Sequence, residues 1–188
     1  MEKTIEYFLQ PGPKNTDRTL ELSLRRAEEL GIQHMVLSSS TGHSAVRALE
    51  FIQPERLVVV SSMYGLHEPG KPRITEDNRA HLQKAGVRIV MQTHLFQGIE
   101  RAISNKLQGV CPALLVADVL RIFGQGWKVC LEITMMAADS GAIPIDSEII
   151  AMAGTGKGLD TAMVISPAHS HAMFDLSVRE IICTPRGK

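Results

Sequence analysis

Val36-Leu37-Ser38-Ser39-Ser40-Thr41-Gly42-His43-Ser44-Ala45 is the stretch on which the reading of this chain turns. The apolar residues Met35, Val36 and Leu37 end a segment, starting at Ile32, that reads as a buried strand. Hydroxyl residues and a glycine follow, and then Ala45, Val46, Ala48, Leu49 and Ile52 recur at helical spacing. A strand that turns through Ser, Thr and Gly into a helix presents free backbone N–H groups at a positive helix end, which favours a phosphate or carboxylate. The plainer alternative is that Ser40 or Thr41 only caps the helix.

Outward from this turn, the pattern alternates. Toward the N-terminus, Thr16-Asp17 starts a helix with Leu20, Leu24, Ala27 and Leu30 on one side, stopped by Gly31. Residues 1–16 read as an extended lead-in broken by Pro11 and Pro13. Toward the C-terminus, the spacing predicts a helix to about Ile52 and a strand over Leu57–Val60, apolar on both faces as central parallel strands are. A helix then runs from Thr75 to Gly86, followed by a strand over Val87–Met91 and a further helix beyond Gly98. Pro112–Phe123 and Lys128–Ser140 read as a helical pair, an insertion spanning about 110–145. Ile149–Ala153 and Ala162–Ile165 are strands joined by a glycine loop, with a final strand near Glu180–Cys183. Strands alternating with helices predict an α/β fold, a three-layer αβα sandwich whose mostly parallel sheet carries one antiparallel late strand. The 188 residues are expected to form a single domain.

Composition narrows the function. Twenty basic residues balance twenty acidic ones, so no broad field draws the chain to nucleic acid or an anionic membrane. Any anion site must be local. Aromatic residues make up 4 %, too few for stacking platforms along a single strand. Three cysteines without a Cys-x-x-Cys pair fit neither a disulfide framework nor a zinc site, and a cytoplasmic setting is expected. No apolar signal core follows Met1, and no apolar run approaches the ~20 residues that span a bilayer.

Ligands in open parallel sheets bind beyond the carboxyl ends of the strands. Three such ends here are polar: Ser38 to Ser44, then Ser61 and Ser62, then Thr93 and His94. A second candidate loop is Gly154-Thr155-Gly156-Lys157-Gly158, followed by Leu159 and Asp160. Its glycines could wrap a phosphate with backbone N–H groups, with Lys157 as counter-charge, or form a plain hairpin turn. It is not a Walker A loop, because Ala151 replaces the first glycine and Gly158 the Ser/Thr that binds magnesium. His94 and Glu100 are candidates for acid–base chemistry. His169 and His171 lack a third ligand nearby, so no metal is expected.

Two segments together carry a resemblance. HMVLSSSTGHSAVRAL (34–49) with the apolar strand after it, and AGTGKGLDTAMVISPA (153–168), are similar to two segments of the carboxy-terminal domain of pyruvate kinases, over roughly residues 15–165. More closely, the chain resembles a family of stand-alone archaeal and bacterial proteins with that fold. The resemblance implies a pocket for a phosphorylated small molecule, with flavin mononucleotide as the implied ligand. It maps the phosphate turn onto Ser38, Ser39, Ser40, Thr41, Gly42, His43 and Ser44, and the second loop onto Gly154 to Thr161. His43 stands where pyruvate kinases often carry Arg. Nothing resembles the catalytic barrel, which takes ~250 residues, so pyruvate kinase activity is not expected. Three functions stay open: binding of a phosphorylated small molecule, a flavin-dependent oxidoreductase or other small-molecule enzyme using His94 and Glu100, and an interaction module whose partner, a second copy of the chain in a homo-oligomer being one candidate, occupies the apolar 110–145 helices.

Overall fold

The protein is described from a computed structural model covering residues 3–187. Seven strands form one sheet: β1 (Glu6–Phe8), β2 (Met35–Ser38), β3 (Leu57–Ser61), β4 (Arg88–Met91), β5 (Ile149–Ala153), β6 (Thr161–Ser166) and β7 (Ser177–Pro185). Their order is β1-β7-β6-β5-β2-β3-β4. β6 lies antiparallel to both its neighbours, and every other pairing is parallel. One strand therefore opposes the other six, the antiparallel member expected from the glycine-loop hairpin. The α/β class and the mostly parallel mixed sheet are as the sequence predicts.

Helices cover both faces: α1 (Thr16–Leu30), α2 (His43–Ala48), α3 (Glu76–Lys84), α4 (Ile99–Leu107), α5 (Pro112–Arg121) and α6 (Gln125–Asp139). Side chains alternate across a strand, and the core follows that alternation residue by residue. Met35, Leu37, Leu57, Val59, Ile150 and Met152 face Leu20 and Ala27 of α1, Ala45 and Ala48 of α2, and Leu82 of α3. Val36, Val58, Val60, Ile149, Ala151 and Ala153 face Cys130, Ile133, Met136 and Ala137 of α6. The central strands are consequently apolar on both faces, which is why their sequences show no polar alternation. Each large side chain so enclosed contributes ~1.5–3 kcal/mol. All three cysteines sit buried as thiols, and burial pushes the Cys130 and Cys183 thiols up, away from reactivity.

Three details depart from expectation. α2 stops at Ala48, because Leu49, Glu50 and Phe51 switch to tighter bonds three residues back. The lead-in contributes a strand, β1, whose register pairs Glu6 with Cys183. The segment read as an insertion supplies α6, the helix that covers the second face of β2, β5 and β6. Among the described residues no helix is long and apolar enough to cross a membrane.

Candidate functional site

β2 has β3 on one side and β5 on the other, so the chain's course through the sheet reverses between β2 and β5. Crevices open at the carboxyl ends of strands flanking such a point. A cavity of about 150 Å³ lies there. Its walls are Ser38 and Ser40 after β2, Ser61 and Ser62 after β3, His94 and Gln97 after β4, and Gly154 and Gly156 after β5. α6 closes it with Gln125, Lys128 and Glu132. The glycine loop and the serine turn thus meet around one space, although more than a hundred residues separate them.

Not every residue singled out from the sequence reaches this space. Ser39 is buried, and its hydroxyl accepts from Ala45 N at 3.3 Å, tying the turn to the first residues of α2. Ser61 donates to Ser40 O at 3.2 Å, linking two walls. Thr41 O accepts from Thr75 N and Asn78 Nδ2, which pulls that part of the turn toward α3. Gly42 packs there at φ +89°, where a Cβ would lie 2.6 Å from Asn78 Cβ. His43 and Thr93 are exposed, Ser44 is buried, and none of the three lines the cavity. Lys157 is exposed and also outside the lining, as is Thr155.

Asp160 is fully buried. Its carboxylate accepts from Gly12 N at 2.9 Å, Thr155 N at 3.0 Å and the Thr161 hydroxyl at 2.9 Å. It holds the glycine loop closed on itself and onto the N-terminal segment. Gly158 packs against Pro13, and Thr16 Oγ1 accepts from Leu159 N at 3.0 Å, in the same clasp. The loop is therefore a pinned turn rather than a swinging one. At Gly154 a Cβ would lie 2.1 Å from Gly158 O, whereas at Gly156 it would meet open space at φ +82°. Gly154→Ala is expected to destabilise by about 2–3 kcal/mol, as overpacking does, and Gly156→Ala by ~1–2 kcal/mol from the left-handed backbone alone. Urea unfolding of the two variants checks the order.

The charged part of the crevice comes from α6. Lys128 and Glu132 stand one turn apart, form an ion pair, and are 2 % and 3 % exposed. Glu132 Oε1 also accepts from Phe96 N at 3.0 Å, and the Lys128 ammonium lies 5.3 Å over the Phe96 ring. Burial pulls the Lys128 pKa below the usual lysine range, against the opposing attraction of Glu132. His94 is half-buried beside this pair, and burial lowers its pKa too, so its imidazole is neutral at pH 7. Gln125 is fixed by Arg121, whose Nε donates to its Oε1 at 3.0 Å.

Glu100, paired with His94 in the sequence reading, is committed elsewhere. Its Oε2 accepts from Ala113 N at 2.8 Å and Leu114 N at 3.3 Å, capping α5. Glu132 stands beside His94 instead. Lys128 and Glu132 were missed because an i,i+4 Lys–Glu pair ordinarily marks a solvated helix face. Their signal was available: they are the only charges between Gln125 and Ala138 in an otherwise apolar helix. Among the described residues, no group of three His, Cys, Asp or Glu side chains could hold a metal. His169 and His171 stack on each other at 5.9 Å, and His169 Nδ1 lies 3.2 Å from Asp139 Oδ1.

The chain was compared with known families and structures. The sequence model of the family described as pyruvate kinase, alpha/beta domain, matches residues 17–165. Among solved structures, the chain is similar to an NH3-dependent NAD synthetase from Campylobacter jejuni subsp. jejuni NCTC 11168 in complex with the nitrate ion. That similarity has 15 % identity and a TM-score of 0.37, and covers 72 % of this chain. The match covers 54 % of the synthetase, so the chain spans about half the length of that protein.

Proposed function

The chain belongs to the pyruvate kinase alpha/beta domain family, and on that premise we propose that its crevice binds a phosphorylated small molecule. The observation that carries this reading is the meeting of the serine turn, the glycine loop and the Lys128 ammonium around one cavity at the strand-order reversal. Hydroxyls of Ser38, Ser40 and Ser62, together with one buried cation, suit a compact oxyanion, while the Ser61 hydroxyl is spent on Ser40 O. Glu132 limits the choice. It leaves the Lys128 charge balanced, so the anion must be drawn by hydrogen bonds as well as by charge.

Flavin mononucleotide is the specific ligand we propose, held by its phosphate. The size of the cavity favours that end over the ring. At about 150 Å³ it falls below the ~300–1,000 Å³ of pockets that enclose a drug-sized molecule, and no Phe, Tyr or Trp side chain lines it. When bound, the flavin would supply redox chemistry, and the residues named here would orient its phosphate. Calorimetry with flavin mononucleotide, inorganic phosphate and riboflavin tests both levels of the proposal. The expected result is micromolar binding of the phosphorylated ligands and none of riboflavin. Absence of heat with every phosphorylated ligand removes the reading, and equal binding of riboflavin removes the phosphate-first orientation.

The same titration has a proton signature. His94 is neutral at pH 7 because burial lowers its pKa, and a neighbouring dianion favours its charged form. Binding should therefore take up a proton, seen as a heat that depends on the buffer's ionisation enthalpy, and His94→Ala should abolish that dependence.

A second reading is a small-molecule enzyme of this same crevice, and the neutral His94 beside the buried Lys128–Glu132 pair favours it. His94 would act as base and Glu132 would hold Lys128 in place. A His94→Ala protein that still binds ligand but loses turnover supports this reading.

A further inference from the structure

The helix α4 is nine residues long, and none of its residues is buried. Isolated helices shorter than ~12–15 residues are marginal in water, and most helical stability comes from packing of an apolar face. α4 has such a face: Ile99, Ile103 and Leu107 recur every four residues, with Ile99 79 % and Leu107 70 % exposed. α5 carries a matching pair of exposed residues, Leu115 and Val119, continued by Ile122 at its C-cap. Its inner side is already spent, since Ala117 packs with Phe96 and Met135, flanked by Ala113, Val116 and Leu120. The two helices are tied together by Glu100, which caps α5 from within α4.

We infer that this α4–α5 face is the contact by which two copies of the chain pair as a symmetric dimer. The area supports that occupant. With flanking Val110 and Phe123, the two stripes leave on the order of 800 Å² open, about what each partner gives to a standard interface. The largest apolar patch on an ordinary monomer is ~300–600 Å². A two-fold axis that lays α4 of one copy along α5 of the other would bring the apolar stripes together. The chain as a whole is neutral, so two copies do not repel at long range. Paired in this way, two helical hairpins make a four-helix bundle with their apolar stripes inward.

Light scattering on the full chain across a dilution series tests this. The expected mass is twice the 20.6 kDa of one chain, falling to one chain on dilution. Leu115→Glu with Val119→Glu, both at exposed positions, should weaken pairing at least ~100-fold while circular dichroism shows the same fold. Leu9→Glu, at a still more exposed position in the N-terminal segment, should leave it unchanged. A monomer at every concentration, a dimer indifferent to the α5 variant, or a dimer broken by Leu9→Glu overturns the proposal.

Discussion

Glu132→Ala is expected to lower the stability of this protein by about 3–5 kcal/mol, the cost of leaving a buried charge without its partner. Lys128 is 2 % exposed and, among the described residues, its ion-pair partner is Glu132, so the ammonium has little solvent to fall back on. The backbone N–H of Phe96 loses its acceptor in the same step. In a chain of this size the loss corresponds to roughly 10 °C in Tm. Glu132→Gln separates the two causes: it keeps an acceptor for Phe96 and removes only the charge, so it should cost less. The double variant Lys128→Met with Glu132→Leu should recover most of the loss, because apolar replacements of a buried pair are often neutral or stabilising. pH supplies an independent reading. Burial already holds the Lys128 pKa below its unfolded value, so between the two values the unfolded chain carries the extra proton and stability rises with pH. Without Glu132 the folded pKa falls further, and the Glu132→Ala protein should gain stability more steeply than its parent between neutral pH and the unfolded lysine pKa. Denaturant melts at several pH values check it. A flat profile, or a Glu132→Ala protein as stable as its parent, contradicts the account of the pair.

Asp160→Ala should cost a comparable amount, about 3–5 kcal/mol, because it removes three hydrogen bonds and leaves two backbone N–H groups without their acceptor. The consequence is local as well as global. Gly12 and Thr155 are held by the same carboxylate oxygen, Oδ2, so its loss frees the glycine loop and the N-terminal segment together. Hydrogen exchange should accelerate at both while the strands Leu57–Ser61 and Arg88–Met91 keep their protection. Ligand affinity should fall as well, since Gly154 and Gly156 form one wall of the crevice. Asp160→Asn retains an acceptor and should sit between the two. Exchange that accelerates uniformly across the sheet would instead mean that Asp160 acts on global stability alone.

The sheet was legible because its signal is local. Met35-Val36-Leu37 and Leu57-Val58-Val59-Val60 are short apolar runs of the kind a two-face-buried strand shows, and Gly31 and Gly86 mark helix ends directly. The two loops around the crevice were legible for the same reason, as polar or glycine-rich punctuation after apolar runs. What escaped was non-local. Asp160 finds Gly12 across 148 residues, and Glu100 caps a helix that starts at Pro112; nothing in the neighbourhood of either residue announces the partner. α6 escaped for a different reason. Periodicity shows that Lys128 and Glu132 share a helix face, but not whether that face meets water or a cavity in the protein.

β1 and β7 have a consequence for how the molecule is made. β1 leaves the ribosome before every other strand of this sheet, yet its hydrogen-bonding partners, Cys183 to Pro185, lie in the sheet's last strand to emerge. The inner strands can assemble meanwhile, while β1 waits with a bare backbone edge until β7 has been made. Late closure across so long a separation is slow, and an unguarded edge is where nascent chains adhere to one another.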